Sequence, residues 1–372
     1  MKKILFLSLL MSAQLSYANT KVSAQISFIA NESYMVAGLT PAQINRAYGT
    51  QNLYFHGEGQ TIAIVMPYDN PNAETDLATF NSNLNLPDCT TDNGCFKKIL
   101  APGAGTPNVN WGVASSISVE WAHAIAPGAY VMLVEAKDNS FASLFAAVQV
   151  AIQQGATVVA MPWGSGEFAS ETTYDSNFTN LNVVFVAPAG SAGNGTTYPA
   201  VAPNVIAVGG TTLTTDIDGN YLAEVAWSAS GGGLSLYEAQ PSYQANFPIP
   251  NNPNAKRGTP DVAYAADRGT GFAAYATYGA SGWIVVGGTG VGAVQWAGIF
   301  ATIKSGSHKP IVNMPALLYT AAKNRYTTVF NQITSGTNGN CGFYCTAQAG
   351  YNYVTGLGTP QVQYLAYEVI YS

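Results

Sequence analysis

Few residues of this 372-residue chain have the type and spacing for acid–base, nucleophilic or metal chemistry, and those few are scattered. The three histidines, His56, His123 and His308, stand far apart. Glu120 and His123 lie one helical turn apart, so a carboxylate and an imidazole can pair along one helix; an ion pair is the expected role, ahead of catalysis. The four cysteines form two close pairs, Cys89 with Cys95 and Cys341 with Cys345. That pattern reads as two local disulfides in an oxidising compartment, with two other pairings formally open. Zinc is disfavoured, because neither pair has C-x-x-C spacing and no histidine is placed to complete a site. Asp216-Ile217-Asp218-Gly219-Asn220 resembles part of a calcium loop, but no ligating Glu follows at the required spacing, so Asp218-Gly219 reads as a hairpin turn. Gly287-Gly288-Thr289-Gly290-Val291-Gly292 holds a G-x-G ahead of a helix, yet far from any first βαβ unit, which argues against nucleotide binding.

The elements that must position any site follow from the apolar pattern. Residues 61–66, 130–134, 156–160, 183–186 and 205–208 are short continuous apolar runs. They alternate with helix-period segments at 74–84, 141–153 and 293–304 and with a helix ending near Pro127-Gly128. Strands apolar on both sides and alternating with helices predict an α/β fold with a mostly parallel central sheet and helices on both faces. Such sheets place their sites at the carboxyl ends of the strands. Between residues 213 and 290 the pattern turns loop-rich and hairpin-like. Composition agrees with a large core, at 48% hydrophobic residues and only 9% charged, against about 25% charged in an ordinary domain. A net charge of −6 without a Lys/Arg cluster excludes a nucleic-acid binder. Residues 1–18 read as an export signal, with Lys2 and Lys3, the apolar run from Ile4 to Met11, and Ser16-Tyr17-Ala18 as cleavage site. The run is too short for a span, and no other segment is long and apolar enough to be one. A secreted or periplasmic protein without a membrane span is therefore expected.

Several segments together resemble the sedolisin (serine-carboxyl peptidase) family, which has a subtilisin-like fold. They are Leu39-Thr40-Pro41-Ala42-Gln43, Gly59-Gln60-Thr61-Ile62-Ala63-Ile64-Val65, Glu120 to Ala129, Tyr198-Pro199-Ala200, Val208-Gly209-Gly210-Thr211-Thr212, Trp227 to Ser235, Arg257-Gly258-Thr259-Pro260-Asp261-Val262, Gly287-Gly288-Thr289 with Trp296-Ala297-Gly298, and Thr355-Gly356-Leu357-Gly358-Thr359-Pro360. The resemblance implies a three-layer, subtilisin-like domain over residues 39–372, preceded at 19–38 by a short extension in place of the family's long folded prosegment. It also locates the catalytic positions. The nucleophile of the family lies in G-T-S-x-x-x-P, where this chain reads Gly288-Thr289-Gly290-Val291-Gly292-Ala293-Val294, so Gly290 replaces the serine. The base and its orienting acid sit one helical turn apart, at positions held here by Ala114 and Ser118. The oxyanion Asp falls in Ala189-Gly190-Ser191-Ala192-Gly193, where Ser191 keeps one donor. Thr289 offers a hydroxyl beside Gly290, but the resemblance gives its backbone a turn-shaping role. Glu120, about 200° around the helix from Ser118, points away from the site face.

The calcium site of the family maps onto Gln332, Ile333, Gln348, Gly350 and Asn352, with both acids replaced by amides. No cofactor is therefore expected, and the two amides are expected to bond each other across the loop. Pro162-Trp163-Gly164 at one strand end and Ser230-Gly231-Gly232-Gly233 opposite are expected to line a groove that takes an extended peptide by strand addition. The function expected from these residues is a monomeric, secreted, catalytically inactive pseudopeptidase that keeps its peptide groove. The alternatives are an active secreted serine-type endopeptidase with a rearranged site, and a structural or adhesive surface protein.

Overall fold

The computed structural model describes residues 20–30, 36–247 and 249–371; the export-signal reading of residues 1–18 falls outside them. Eight strands form the central sheet: β1 (Thr61–Pro67), β2 (Phe96–Leu100), β3 (Tyr130–Ala136), β4 (Val158–Ala160), β5 (Val184–Pro188), β6 (Val205–Thr215), β7 (Tyr221–Ala226) and β8 (Val262–Ala265). Their order is β7-β6-β5-β4-β1-β3-β2, with β8 also on β6. Every pairing is parallel except the β6–β7 hairpin. Ile62 through Met66 are fully buried, as a strand covered on both faces requires.

Among the described residues, seven α-helices of eight residues or more pack around this sheet: α1 (Pro41–Tyr48), α2 (Ala73–Leu84), α3 (Val109–Ile125), α4 (Phe141–Gln153), α5 (Thr289–Ser305), α6 (Met314–Val329) and α7 (Val362–Ile370). None among the described residues is long and apolar enough to cross a membrane. α5 begins four residues before the expected 293. Its glycines hide the helical signal, but they are needed for close packing: a Cβ on Gly298 would lie 2.7 Å from Ile125 Cβ in α3. The expected turn at Asp218-Gly219 closes the β6–β7 hairpin, with Gly219 at φ +88° and Asp216 Oδ1 accepting from the amides of Asp218 and Asn220. Both local disulfides, Cys89–Cys95 and Cys341–Cys345, are closed.

The loops at the carboxyl ends of β4 and β5 carry Pro162-Trp163-Gly164 and Ala189 to Gly193, and α5 starts beside them. A short antiparallel sheet caps this end. Trp163–Gly166 pairs on one side with Thr197–Tyr198 and on the other with Ser23–Ala24. A second joins Phe272–Ala276, Gly282–Gly287 and Ser27–Ala30.

Candidate functional site

The segment that the sequence marks only as a short extension forms a strand laid between the loop after β4 and the start of α5, along the cleft that the family resemblance implies. Ser23 pairs with Gly164 and Ala24 with Trp163. Gln25 donates its amide to the Pro162 carbonyl at 3.1 Å. Ser27 to Ala30 then pair with Gly287 to Ile284. Val22, Ala24 and Ile26 are buried or pack against the core, while Ser23 and Phe28 are exposed. The period-2 alternation of Val22-Ser23-Ala24-Gln25-Ile26-Ser27 was the signal for this strand.

The carbonyl of Gln25 meets the positions that the family resemblance assigns to chemistry. Gly290, in the first turn of α5, donates its amide to Gln25 O at 2.8 Å. Ser191 Oγ lies 3.3 Å from the same oxygen and donates to it. The first-turn amides of a helix have no partner within it and form its positive end, so a carbonyl oxygen is well received there. Ser191 Oγ also accepts from the Thr289 amide at 3.0 Å and lies 2.9 Å from Thr289 Oγ1, which donates to Gly190 O. These two hydroxyls thus sit on each other and on backbone, and neither bonds an acid or an imidazole among the described residues. Glycine at two positions makes room for the strand. A Cβ on Gly288 would lie 2.3 Å from Gln25 O; one on Gly290 would lie 2.8 Å from Gln25 O and 3.0 Å from the Gln25 carbonyl carbon.

Ala114 and Ser118 sit buried in α3, with Ser118 Oγ donating to Ala114 O at 2.7 Å. Glu120 is buried on another part of α3, where Oε2 accepts the Tyr275 amide at 3.1 Å and Oε1 is unpartnered; burial pushes its carboxyl well above the usual range. His123 does not pair with Glu120. Its Nε2 meets Pro87 O at 2.9 Å beside the Cys89–Cys95 disulfide, and burial lowers its pKa. The ion pair expected between them is therefore absent: the two side chains leave the helix toward different elements. Sulfurs joined in a disulfide leave that cluster no thiolates with which to hold a metal.

Of the residues read as groove walls, Pro162, Trp163 and Gly164 present their backbone to residues 23–25. The glycine run faces the other way. Gly231 donates to Gly190 O, and Gly232 exchanges both backbone bonds with Gly195. A Cβ on Gly231 would lie 2.0 Å from Ala189 O. Ser230 is buried, accepting from the Gly210 amide and donating to Val354 O. This run buttresses the loop that holds Ser191.

At the calcium-related loop the residues do not suit a hard cation. Asn352 Nδ2 donates to the carbonyls of Ile333 and Gln348, occupying oxygens that a metal would need, and its Oδ1 accepts from the amides of Val354 and Thr355 and from Thr355 Oγ1. Gln332 Oε1 accepts the Gly350 amide at 2.8 Å. The two amides thus bond backbone across the loop rather than each other: Gln332 takes the Gly350 amide and Asn352 reaches the Ile333 carbonyl. An NH₂ group sits among carbonyls at the position where the family resemblance sets a cation among oxygens.

Residues 103–340 match the model of the subtilase family, Peptidase_S8. The chain is 34% identical to sedolisin of Pseudomonas sp. (strain 101) over 187 residues, covering 46% of this chain and 31% of that protein. It is 30% identical to kumamolisin of Bacillus sp. (strain MN-32) over 364 residues, covering 89% of this chain and 63% of that one. The chain thus spans less than two thirds of the length of these relatives. Among solved structures, Pseudomonas sedolisin, a serine-carboxyl proteinase in complex with pseudo-iodotyrostatin, superposes with a TM-score of 0.76 at 23% identity, covering 90% of this chain and 98% of that one.

Proposed function

This chain belongs to the sedolisin family of subtilisin-like proteins, and on that premise we propose that it is an exported pseudopeptidase: a peptidase domain that holds an extended polypeptide in its cleft without cutting it. The observation that carries the reading is Gly290, whose amide receives a peptide carbonyl at 2.8 Å where the family places its serine. Acyl transfer needs a nucleophile, a base and an orienting group acting as a unit. Here the three positions hold Gly290, Ala114 and Ser118. Loss of the nucleophile alone costs about 10⁶-fold in turnover in subtilisin. What remains is the part that binds: the Gly290 amide and the Ser191 hydroxyl, both aimed at one carbonyl oxygen. Two closed disulfides support a location outside the cytosol. The amide-filled loop at Asn352 supports a domain that folds without calcium.

The test is a cleavage assay on the purified full chain with a library of internally quenched peptides from pH 3 to pH 8. No turnover above a protein-free blank is expected at any pH. Multiple turnover that tracks the purified chain and disappears on Ser191→Ala or Thr289→Val would overturn the proposal.

A further inference from the structure

The occupant of the cleft indicates what the cleft is shaped to receive. Residues 22–29 are held almost entirely through backbone: the Val22 amide to Asn139 O, Asn139 Nδ2 back to Val22 O, the Gln25 amide to Pro162 O, the Gly290 amide to Gln25 O, and the two antiparallel ladders. Of their side chains only Val22 is fully buried, while Phe28 is 38% and Ile29 49% exposed. Backbone pairing discriminates poorly between sequences, and a strand secured by one buried side chain and two small or half-buried ones, Ala24 and Ile26, is open to competition from any strand that presents the same pattern.

Resting on the reading of an inactive cleft, we propose that residues 22–29 are a displaceable, built-in ligand, and that the cleft's external partner is an extended polypeptide strand with small or β-branched apolar residues at the alternate positions matching Val22, Ala24 and Ile26. The partner's carbonyl takes the place of Gln25 O between the Gly290 amide and Ser191 Oγ. Gly288 and Gly290 set the chemistry of this subsite. With no side chain on either, the incoming backbone approaches α5 more closely than any Cβ would permit. The same glycine that removes the nucleophile admits the strand. Access is regulated, because an external strand must expel residues 22–29 before it can pair with Trp163 and Gly164.

The experiment measures fluorescence anisotropy of a labelled, acetylated octapeptide of sequence Val-Ser-Ala-Gln-Ile-Ser-Phe-Ile. It is titrated with the full chain and with a full-length variant carrying Val22→Asp and Gln25→Pro, which removes the buried side chain and the amide donated to Pro162. The variant is expected to bind at least tenfold more tightly than the parent, and a probe with proline in place of its own glutamine is expected to bind neither chain. Equal affinity for both chains, or no binding to a variant that melts like the parent, would overturn the proposal. Should the variant fail to fold, hydrogen exchange on the parent gives the same decision. Excess probe is expected to strip protection from residues 22–27 while the Gly290 amide stays protected, and unchanged exchange at 22–27 overturns the inference. Cleavage of the probe would instead sink the reading of inactivity and leave strand displacement standing, so the two failures are distinguishable.

Discussion

A Cβ on Gly290 would stand 2.8 Å from Gln25 O and 3.0 Å from its carbonyl carbon, so a serine there requires the strand to back away by a few tenths of an ångström, and its hydroxyl would then be carried beside that carbon. Restoring the missing groups with Gly290→Ser, Ala114→Glu and Ser118→Asp therefore has a defined first substrate. The introduced hydroxyl would add to Gln25 C with its proton passing to the restored base, while the Gly290 amide and Ser191 Oγ hold the developing oxyanion. The C–N bond to Ile26 would break with the proton returned to the leaving amine, and water would then free the acyl group. The expected outcome is a new N-terminus at Ile26, detected by intact-mass measurement at acid pH, with no cleavage in the single Gly290→Ser variant. An uncut triple variant that melts like the parent would show that the geometry at Gln25 is not productive. At this scale motif spacing marks Gly290 and Ser191, which meet at Gln25 O, while the roles given to Ala114 and Ser118 rest on the family resemblance alone. Gln25 was not legible in the sequence, because its role depends on a contact with Ser191 at a separation of 166 residues, which no local pattern encodes. The same limit applies to Asn352, whose amide was foreseen but whose partners, the carbonyls of Ile333 and Gln348, are set by the fold of the loop.

Elements were legible where a long apolar run or a clear period marked them, as for β1, β3 and α4. They were missed where the pattern is mixed. β2 carries Lys97 and Lys98 at the edge of the sheet, where charge is common and no second face must be buried. The segment Arg257-Gly258-Thr259-Pro260-Asp261 matters as a clasp between elements rather than as chemistry. Arg257 and Asp261 are buried to within 1% and pair through two bonds of 2.8 and 2.6 Å. Asp261 also accepts from the Ala207 amide in β6 and from Tyr319 in α6, and Arg257 donates to Val205 O. Removing one member of a buried pair leaves the other charge without compensation, which costs about 3–5 kcal/mol. Arg257→Met is therefore expected to lower stability by that amount in urea unfolding. Arg257→Met with Asp261→Leu should cost less than the sum of the two single changes, by at least about 1 kcal/mol of coupling. Additive effects would show that the clasp is not a unit.

Across the whole molecule, scarcity of charge makes a few buried carboxyls govern the response to pH. Only 9% of residues are charged and the net charge is −6, so repulsion over the surface is weak. Against that background, burial, reinforced by Glu167 and Glu238, raises the Glu171 carboxyl to about 9. Burial, with Asp175 and Glu167 beside it and Arg257 opposing, raises Glu238 to about 8. Burial also raises Glu135 to about 8, with Asp69 adding to the shift and the Asn70 amide and Lys98 working against it. Each of these folded-state values stands above the ordinary glutamate value of about 4.3. The folded protein therefore binds these protons more tightly than the unfolded chain, and the stability they contribute is fully present below about pH 4 and is lost as pH rises toward 8 or 9. Asp138 works in the opposite sense. Partial burial is outweighed there by bonds from Ser140 and by Lys21, so its pKa is lowered and its contribution fades as the pH falls below the ordinary aspartate value. The two trends place maximal stability near pH 4–5, on the acid side of the usual range of about 5–8. Melting followed by circular dichroism is expected to show a midpoint lower by roughly 5 °C or more at pH 9 than at pH 5. Glu171→Gln, which cannot ionise, should flatten the part of that slope between pH 6 and pH 9. A midpoint that climbs steadily from pH 5 to pH 8 would mean that these carboxyls are ionised in the folded protein, and that the neighbouring Glu167, Glu171 and Glu238 are held by something other than their own protons.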